Sequence, residues 1–558
     1  MGSMPTPEQQ VLDVIIIGSG LSGLCSLYKL RRRFPDWCIK ILDNSSDVGG
    51  TWFWNRYPGC RFDSESISYG YSFDKELLDE WHWKEAFSPQ PETHKYIRRF
   101  AEKNDLYKDI QFETTIKSAR WDEQGRTWML TDNKGDEYVT TFLVTCIGFL
   151  STPTLPAIQG IEDFQGQLFH TSRWPADLDV DHDFANKRIG VIGTGATGIQ
   201  TITALSKSPA LVSLRVFQRT ATWSAPLHNS EISVEEMEEL RKNYDSTFQV
   251  CAETPGGFVH MADPRKSADV TQEERIELWD SLYEKPGFGK WLGVFSDTYT
   301  DRRANELYSA YMADKIRQRV NDPDVAESLI PKNHGFGTRR VPLESGYFEA
   351  YNQPNVHLVD LQKTPVTNIA RDGIVTSDGK KHELDILICA TGFDAITGSF
   401  GAIEWQGKDG RPLVGASGTP EGERAAWVDH RPHTFLGMTI PSMPNLFTVM
   451  GPHQPFGNAT RNIEHSVEVV AGMLKFCRDN GHTRVEATEE AADEWTEHVV
   501  QCSKGALVNE VDSWMTGVNK NVKGKAVRSV ARYAGTAQEF RRRCEECKKS
   551  GYKGLSFA

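Results

Sequence analysis

Two glycine-rich hexapeptides of the same spacing carry the plainest chemistry in the chain: Gly18-Ser19-Gly20-Leu21-Ser22-Gly23 and Gly193-Thr194-Gly195-Ala196-Thr197-Gly198. In a G-x-G-x-x-G turn the first glycine makes the bend and the second lets the backbone approach a pyrophosphate. The third lets the following helix close on the strand, and the N–H groups at the helix end hold the phosphates. Each hexapeptide follows an apolar run, at 11–17 and 188–192, and the first leads into the helical pattern LCSLYKLRRRF. A second strand, Ile39 to Asp43, ends in a carboxylate at the spacing that lets Asp43 accept a ribose hydroxyl. At the corresponding place in the second unit stand Gln218 and Arg219. No acid is there to repel a 2′-phosphate, and a guanidinium is there to meet one, which favours NADP over NAD. Arg219 has a plainer reading as a solvated charge at a strand end.

Between the two turns lie two more patterned stretches. FQGQLFHTSRWP at 164–175 sets Phe164, Gly166, His170, Trp174 and Pro175 in the pattern F-x-G-x-x-x-H-x-x-x-W-P. Taken alone it has a plainer, less favoured reading as a Trp-Pro turn with a packed histidine. GGTWFWNRYPGCRFDSESISY at 49–69 has aromatic residues and close-approach glycines suited to the wall of a flat ring, with Asp63 as its chemically interesting member. Asp63 also reads as a helix cap. The GGT opening is shared with disulfide reductases, but Cys60 stands alone in this region, so no dithiol is present to pass electrons to a disulfide.

Taken together, these stretches resemble the Baeyer–Villiger monooxygenases. The 164–175 stretch matches the family fingerprint, and Gly50, Trp52, Tyr57, Pro58, Gly59 and Asp63 match its second signature. The resemblance runs from residue 11 to 556, with Asp43 standing where a glutamate is more usual. It implies an enzyme that uses FAD, NADPH and O2 to insert oxygen beside a ketone carbonyl, through a C4a-peroxyflavin, giving an ester or lactone. FAD would be held by Gly18, Gly20, Ser22, Gly23, Asp43, Gly50, Thr51, Trp52, Asp63 and Tyr69. NADP would be held by Gly193, Thr194, Gly195, Thr197, Gly198, Gln200, Arg219, Thr220 and Arg339, with Trp514 folding over it. Arg340 and Asp63 would be the catalytic pair. The compact loop GPHQPFGN resembles that of cycloalkanone monooxygenases and favours cyclic ketones. Two other readings stay open: a related flavin monooxygenase oxidising amine nitrogen or sulfide, and a non-catalytic FAD/NADP-binding redox sensor.

The elements that must position these residues follow from the order of the motifs. The expected class is α/β, with two dinucleotide-binding (Rossmann-like) domains and a helical insertion in the second. Residues 1–150 would begin the FAD domain, 151–185 would be a linker carrying the fingerprint, and 186–225 would begin the NADP domain. The charge-rich amphipathic patterns at 226–330 predict the helical insertion. Residues 331–385 would complete the NADP domain and 386–558 the FAD domain, with a mobile loop near 501–525. The chain has 558 residues, 39% of them hydrophobic and 25% charged, enough for several cored domains. A net charge of −13 argues against nucleic-acid and anionic-membrane partners, and no apolar run has the length of a membrane span. Ten cysteines without framework spacing predict a reducing, cytoplasmic setting. Cys544 and Cys547 read as neighbours on a charged helix, and no metal site is expected. Met1 to Thr6 fits a loose myristoylation pattern, but Gly2-Ser3 before Met4 reads as a cloning remnant.

Overall fold

The computed structural model describes residues 11–522 and 524–558. The myristoylation-like pattern at Met1 to Thr6 lies outside them. Val11–Ile17 forms the middle of an 8-stranded sheet, parallel to Ile39–Leu42 on one side and Glu137–Thr145 on the other. Its Val14, Ile15 and Ile16 are fully buried, as a strand covered on both faces requires. An antiparallel meander, Ile116–Asp122 and Thr127–Asp132, extends the sheet beyond Glu137–Thr145. The other end of the chain completes it: Leu446–Thr448 pairs in parallel with Leu143 to Thr145. Helix Ala459–Asn480 then packs against helix Leu21–Arg33. Asn458 caps the longer helix at its start, and Gly481, at φ +71°, ends it.

The second sheet has five parallel strands in the order Val356–Asp360, Ser213–Gln218, Arg188–Ile192, Ile386–Cys389, Gln167–His170. Its membership differs from the boundaries expected above. The fingerprint stretch adds an edge strand here, and Ile386–Cys389 pairs between that strand and Arg188–Ile192. The reason is hydrogen bonding: a parallel edge strand has its backbone groups satisfied only by lying against the sheet.

A two-stranded parallel ladder, Ala225–Pro226 with Leu343–Glu344, brackets a run of helices that includes Val234–Lys242, Tyr244–Glu253, Gln272–Glu284, Arg302–Arg319 and Pro323–Leu329. Capping boxes at Ser233 with Glu236 and Thr271 with Glu274 start two of them. Among the described residues no helix is long and apolar enough to cross a membrane. Cys544 and Cys547 are both buried on helix Ala537–Lys549.

Buried imidazoles give the fold a pH signature. Burial drives the pKa of His170, His453 and His465 down to about 4 and that of His334 to about 3, from an ordinary 6.5. In the unfolded chain these groups take protons at their ordinary pKa, so below it the unfolded state binds more protons than the folded one. Their neutral burial is fully favourable above about pH 6.5, and stability is lost as pH falls toward about 4. Thermal unfolding should therefore show a Tm that declines steadily from about pH 7 to about pH 4.5. A flat Tm across that interval would contradict this account.

Candidate active site

The first glycine turn is fixed by clearance. Gly18 sits at φ +104°, and a Cβ there would lie 2.5 Å from the Cys146 carbonyl oxygen. A Cβ on Gly23 would lie 1.8 Å from the oxygen of Gly18. Gly20 faces Gly50: a Cβ on Gly50, at φ +53°, would come within 2.8 Å of the Gly20 Cα. Two glycines meeting in this way leave bare backbone on both sides of the turn, the form of a turn that can receive a pyrophosphate. Asp43 is buried beside it, accepting from the Ser19 N–H and, at 2.7 Å, from the Ser45 N–H. Ser19 Oγ is buried with no hydrogen-bond partner among the described residues, an orphan that a bound nucleotide would satisfy. Gly50 leads into the short helix Thr51–Trp54. Trp52 Nε1 donates to Tyr69 Oη at 2.9 Å, and Tyr69 stacks on Phe62 at 4.3 Å, building a flat aromatic wall.

The second turn repeats the first with one difference. Cβ atoms on Gly193 and Gly198 would lie 2.5 Å and 2.3 Å from backbone oxygens, but nothing stands within 4 Å of one on Gly195. Thr194 Oγ1 donates to the Thr220 carbonyl at 3.0 Å, and Thr197 Oγ1 meets Thr171 Oγ1 at 3.1 Å. Gln218 does not face outward. It is 2% exposed, and its Nε2 donates to the Ser328 carbonyl at 2.7 Å. Arg219 is exposed at the strand end, close enough to Arg339 to act on it. Arg339 is held below its ordinary pKa chiefly by burial; Asp512 opposes this and Arg219 adds to it. Its Nε is buried without a partner. Two guanidiniums sharing one locality, one with an unsatisfied donor, fit a phosphate.

Asp63 and Arg340 meet beside Gln200 and the Leu343–Glu344 strand. Arg340 Nη1 lies 2.8 Å from Asp63 Oδ2, and the same oxygen accepts the Leu343 N–H at 3.1 Å. Asp63 is 3% exposed, while 31% of the Arg340 side chain remains open. The carboxylate is thus buried and the guanidinium reaches out from it. Helix Ser66–Tyr69 takes its N-cap from Glu65, so Asp63 is not a helix cap. Gln200 lies between the same parts: its Oε1 accepts Tyr57 Oη at 2.8 Å and its Nε2 donates to the Arg61 carbonyl at 3.1 Å. A Cβ on Gly59 would strike the Gln200 carbonyl oxygen at 2.7 Å, so that glycine lets the 57–63 loop lie on helix Ala196–Leu205.

The fingerprint residues are dispersed among structural tasks. Gly166 permits close passage by the Asp385 carbonyl, which a Cβ would meet at 2.3 Å. Phe164 packs with Ile369 and Leu384, and Trp174 is buried against Phe169 and Phe184. Pro175 follows directly on Trp174 where the stretch leaves the sheet. His170 ends the edge strand, its Nδ1 bonded to Ser172, and its Nε2 buried beside the Gly392 backbone with no well-formed hydrogen bond among the described residues. Burial keeps its ring neutral, against a weaker upward pull from the Gly392 backbone. Trp514, on the 501–525 loop, packs beside Phe149. It lies 6.5 Å from Phe149, which stacks on Phe456 at 4.6 Å. Buried Lys525, paired with Asp394 and donating to Thr397 Oγ1 at 2.7 Å, holds the same segment down. Neither this latch nor the seat of Arg173 over Trp54 at 4.3 Å carries a sequence signal.

This arrangement is matched along the whole chain by known proteins. A family model described as flavin-binding monooxygenase-like matches residues 12–228. A 2-oxo-Δ3-4,5,5-trimethylcyclopentenylacetyl-CoA monooxygenase of Pseudomonas putida is 39% identical over 99% of each chain. A phenazine N-monooxygenase of Lysobacter antibioticus is 35% identical, covering 97% of this chain and 96% of its own. The crystal structure of a cyclohexanone monooxygenase from Rhodococcus sp. Phi1 bound to NADP+ superposes with a TM-score of 0.92, at 33% identity over 99% of each chain. The chain belongs to the Baeyer–Villiger monooxygenases. As a member it is an NADPH-dependent flavoprotein monooxygenase whose cofactors are FAD and NADP.

If Arg219 meets the 2′-phosphate, Arg219→Ala should raise KM for NADPH about 10- to 100-fold and leave KM for NADH nearly unchanged. That range corresponds to loss of a charged contact of roughly 1.5–3 kcal/mol. Steady-state kinetics with both nucleotides decides it; equal efficiency of the two in the parent enzyme would refute the assignment.

Proposed function

We propose that the substrate is a ketone, cyclic in preference, bound beside Arg340, and that Asp63 and Arg340 serve the oxygen-insertion step as a unit. The ion pair between them carries this reading, because it stands where the 49–69 stretch and the segment after the helical run converge. The bound flavin, once reduced by NADPH, supplies the activated oxygen. The chain's own residues bind, orient and exclude water. Arg340 is permanently charged, so it can stabilise the negative charge that develops on the ketone oxygen as the new bond forms. Asp63 and the Val341 carbonyl hold Nη1 of the guanidinium, which leaves the Nε and Nη2 groups for the substrate. The loop Gly451 to Asn458 supports the cyclic preference: it is compact, with Asn458 Nδ2 reaching the Ser68 carbonyl at 3.3 Å and its N–H reaching Gly256 at 2.8 Å.

The domain division that goes with this reading keeps the FAD domain at 11–150 and 391–558. It moves Gln167–His170 and Ile386–Cys389 into the NADP domain with their sheet. Gly18, Gly20, Ser22, Gly23, Asp43, Gly50, Thr51, Trp52 and Tyr69 would hold FAD. Gly193, Thr194, Gly195, Thr197, Gly198, Thr220, Arg219 and Arg339 would hold NADP. Gln200 is already engaged by Tyr57 and Arg61, so its part is to join the domains. One relative bears the name of a nitrogen oxidiser, so oxidation of a heteroaromatic nitrogen is the second reading. A panel of ketones and N-heteroaromatics separates the two: ketone-stimulated NADPH loss with ester product supports the first, N-oxide alone the second.

Arg340→Ala should retain FAD and still be reduced by NADPH in stopped-flow under nitrogen. In air it should form no ester, and the NADPH it consumes should appear as hydrogen peroxide. Arg340→Lys should rescue little, since an ammonium lacks the fork that contacts Asp63 and substrate together. Ester formation by Arg340→Ala at near-parental rate would move the catalytic assignment to Arg339.

A further inference from the structure

Arg532 is an arginine that nothing in the fold uses. It makes no hydrogen bond or ion pair among the described residues. Burial pulls its pKa down, and no carboxylate lies close enough to oppose that. It nevertheless keeps part of its surface open. The residue is thus crowded by protein and still partly accessible to a ligand.

Its place is set by the loop read above as part of the substrate site. His453 N donates to the Ala531 carbonyl at 3.0 Å, and Tyr533 N donates to the Gln454 carbonyl at 3.2 Å. The Val530 carbonyl meets His453 Nε2 at 3.1 Å. Val530 to Tyr533 therefore runs along Gly451 to Phe456. Ala531 packs in an apolar cluster with Ile396, Phe456 and Trp514, and Tyr533 stacks on Trp495 at 5.5 Å. Both neighbours of Arg532 are structural; Arg532 itself is not. The two phosphate regions have their own groups, Gly20 with Gly50 and Arg219 with Arg339, and Arg340 has Asp63. A crowded, partly desolvated cation with no protein partner among the described residues gains when a ligand supplies the anion.

We propose that Arg532 is a specificity residue of the ketone site that receives a carboxylate carried by the substrate, so that cyclic keto acids are taken in preference to neutral cyclic ketones. This rests on the ketone reading above, with the carboxylate held at Arg532 and the carbonyl presented to Arg340.

The test is equilibrium binding to the holoenzyme with FAD and NADP+ bound. Two ring probes without a ketone are compared by calorimetry, cyclohexylacetate and cyclohexylacetamide. The parent should bind the acid about 10- to 100-fold more tightly than the amide, the range of a charge-assisted contact. Arg532→Met should abolish that ratio and leave amide affinity nearly unchanged, and Arg532→Lys should retain part of it. In turnover, kcat/KM for 2-oxocyclopentaneacetate should fall in Arg532→Met while that for cyclopentanone holds or rises. Equal binding of acid and amide by the parent overturns the proposal, as does an acid preference that survives Arg532→Met, which would place the carboxylate on another cation. Should Arg532→Met fail to fold, the parent's ratio and the Arg532→Lys variant decide. Absence of turnover with every ketone would defeat the ketone reading, while the binding ratio would still decide Arg532.

Discussion

A carboxylate buried in the protein needs a cation and donors, because an unpaired charge away from water is costly. Asp63 receives the Arg340 guanidinium and the Leu343 N–H on a single oxygen. The donors come from the segment that returns after the helical run, and the acceptor comes from the loop that follows the first glycine turn. Much else serves this contact. Gly59 lets the loop lie against helix Ala196–Leu205, and Tyr57 and Gln200 tie the two from the side. The ladder of Ala225–Pro226 with Leu343–Glu344 holds Leu343 in register. Glu344, anchored by Arg319 at 2.7 Å, stiffens the next residue.

One consequence is a division of labour among the arginines. Arg340 is neutralised on one edge only, so its remaining donors stay available for chemistry. Arg339, adjacent in sequence, has no carboxylate within ion-pairing distance among the described residues, and it shares its locality with Arg219. The two neighbours face different surroundings, Arg339 beside Arg219 and Asp512 and Arg340 against Asp63.

What could be read from the sequence was what backbone sterics force. Gly18, Gly23, Gly193 and Gly198 admit no Cβ, and Gly50 is required where it passes Gly20, so these positions announce themselves by residue type. Asp63 and Arg340 were legible through the motifs that carry them, although their 2.8 Å contact joins residues far apart in the chain. The sheet membership of Gln167–His170 was hidden. Four residues of mixed polarity make no strand pattern, and only the neighbouring strand, contributed by residues 386–389, makes them one. The seat of Trp514 was hidden for a like reason. Its polar surroundings in sequence give no sign of the packing, because Phe149, Phe456 and Asp394, the partner of Lys525, come from elsewhere in the chain.

The late strand Leu446–Thr448 bears on how the protein is made. Thr145 Oγ1 donates to the Phe447 carbonyl, a contact spanning 302 positions. During synthesis the segment Leu143 to Thr145 can pair early with Val11–Ile17, but its other edge has no partner until most of the chain has left the ribosome. That edge belongs to residues that end fully buried, so it is apolar, flat and open for the whole interval, a template for wrong pairing. The glycine turn at 18–23 abuts Cys146, just beyond that edge, so the nascent chain carries its flavin signature before it owns a finished sheet to support it. Long-range closure of this kind is the sort that folds slowly, and the sheet beneath the turn is complete only once residues 446–448 are present.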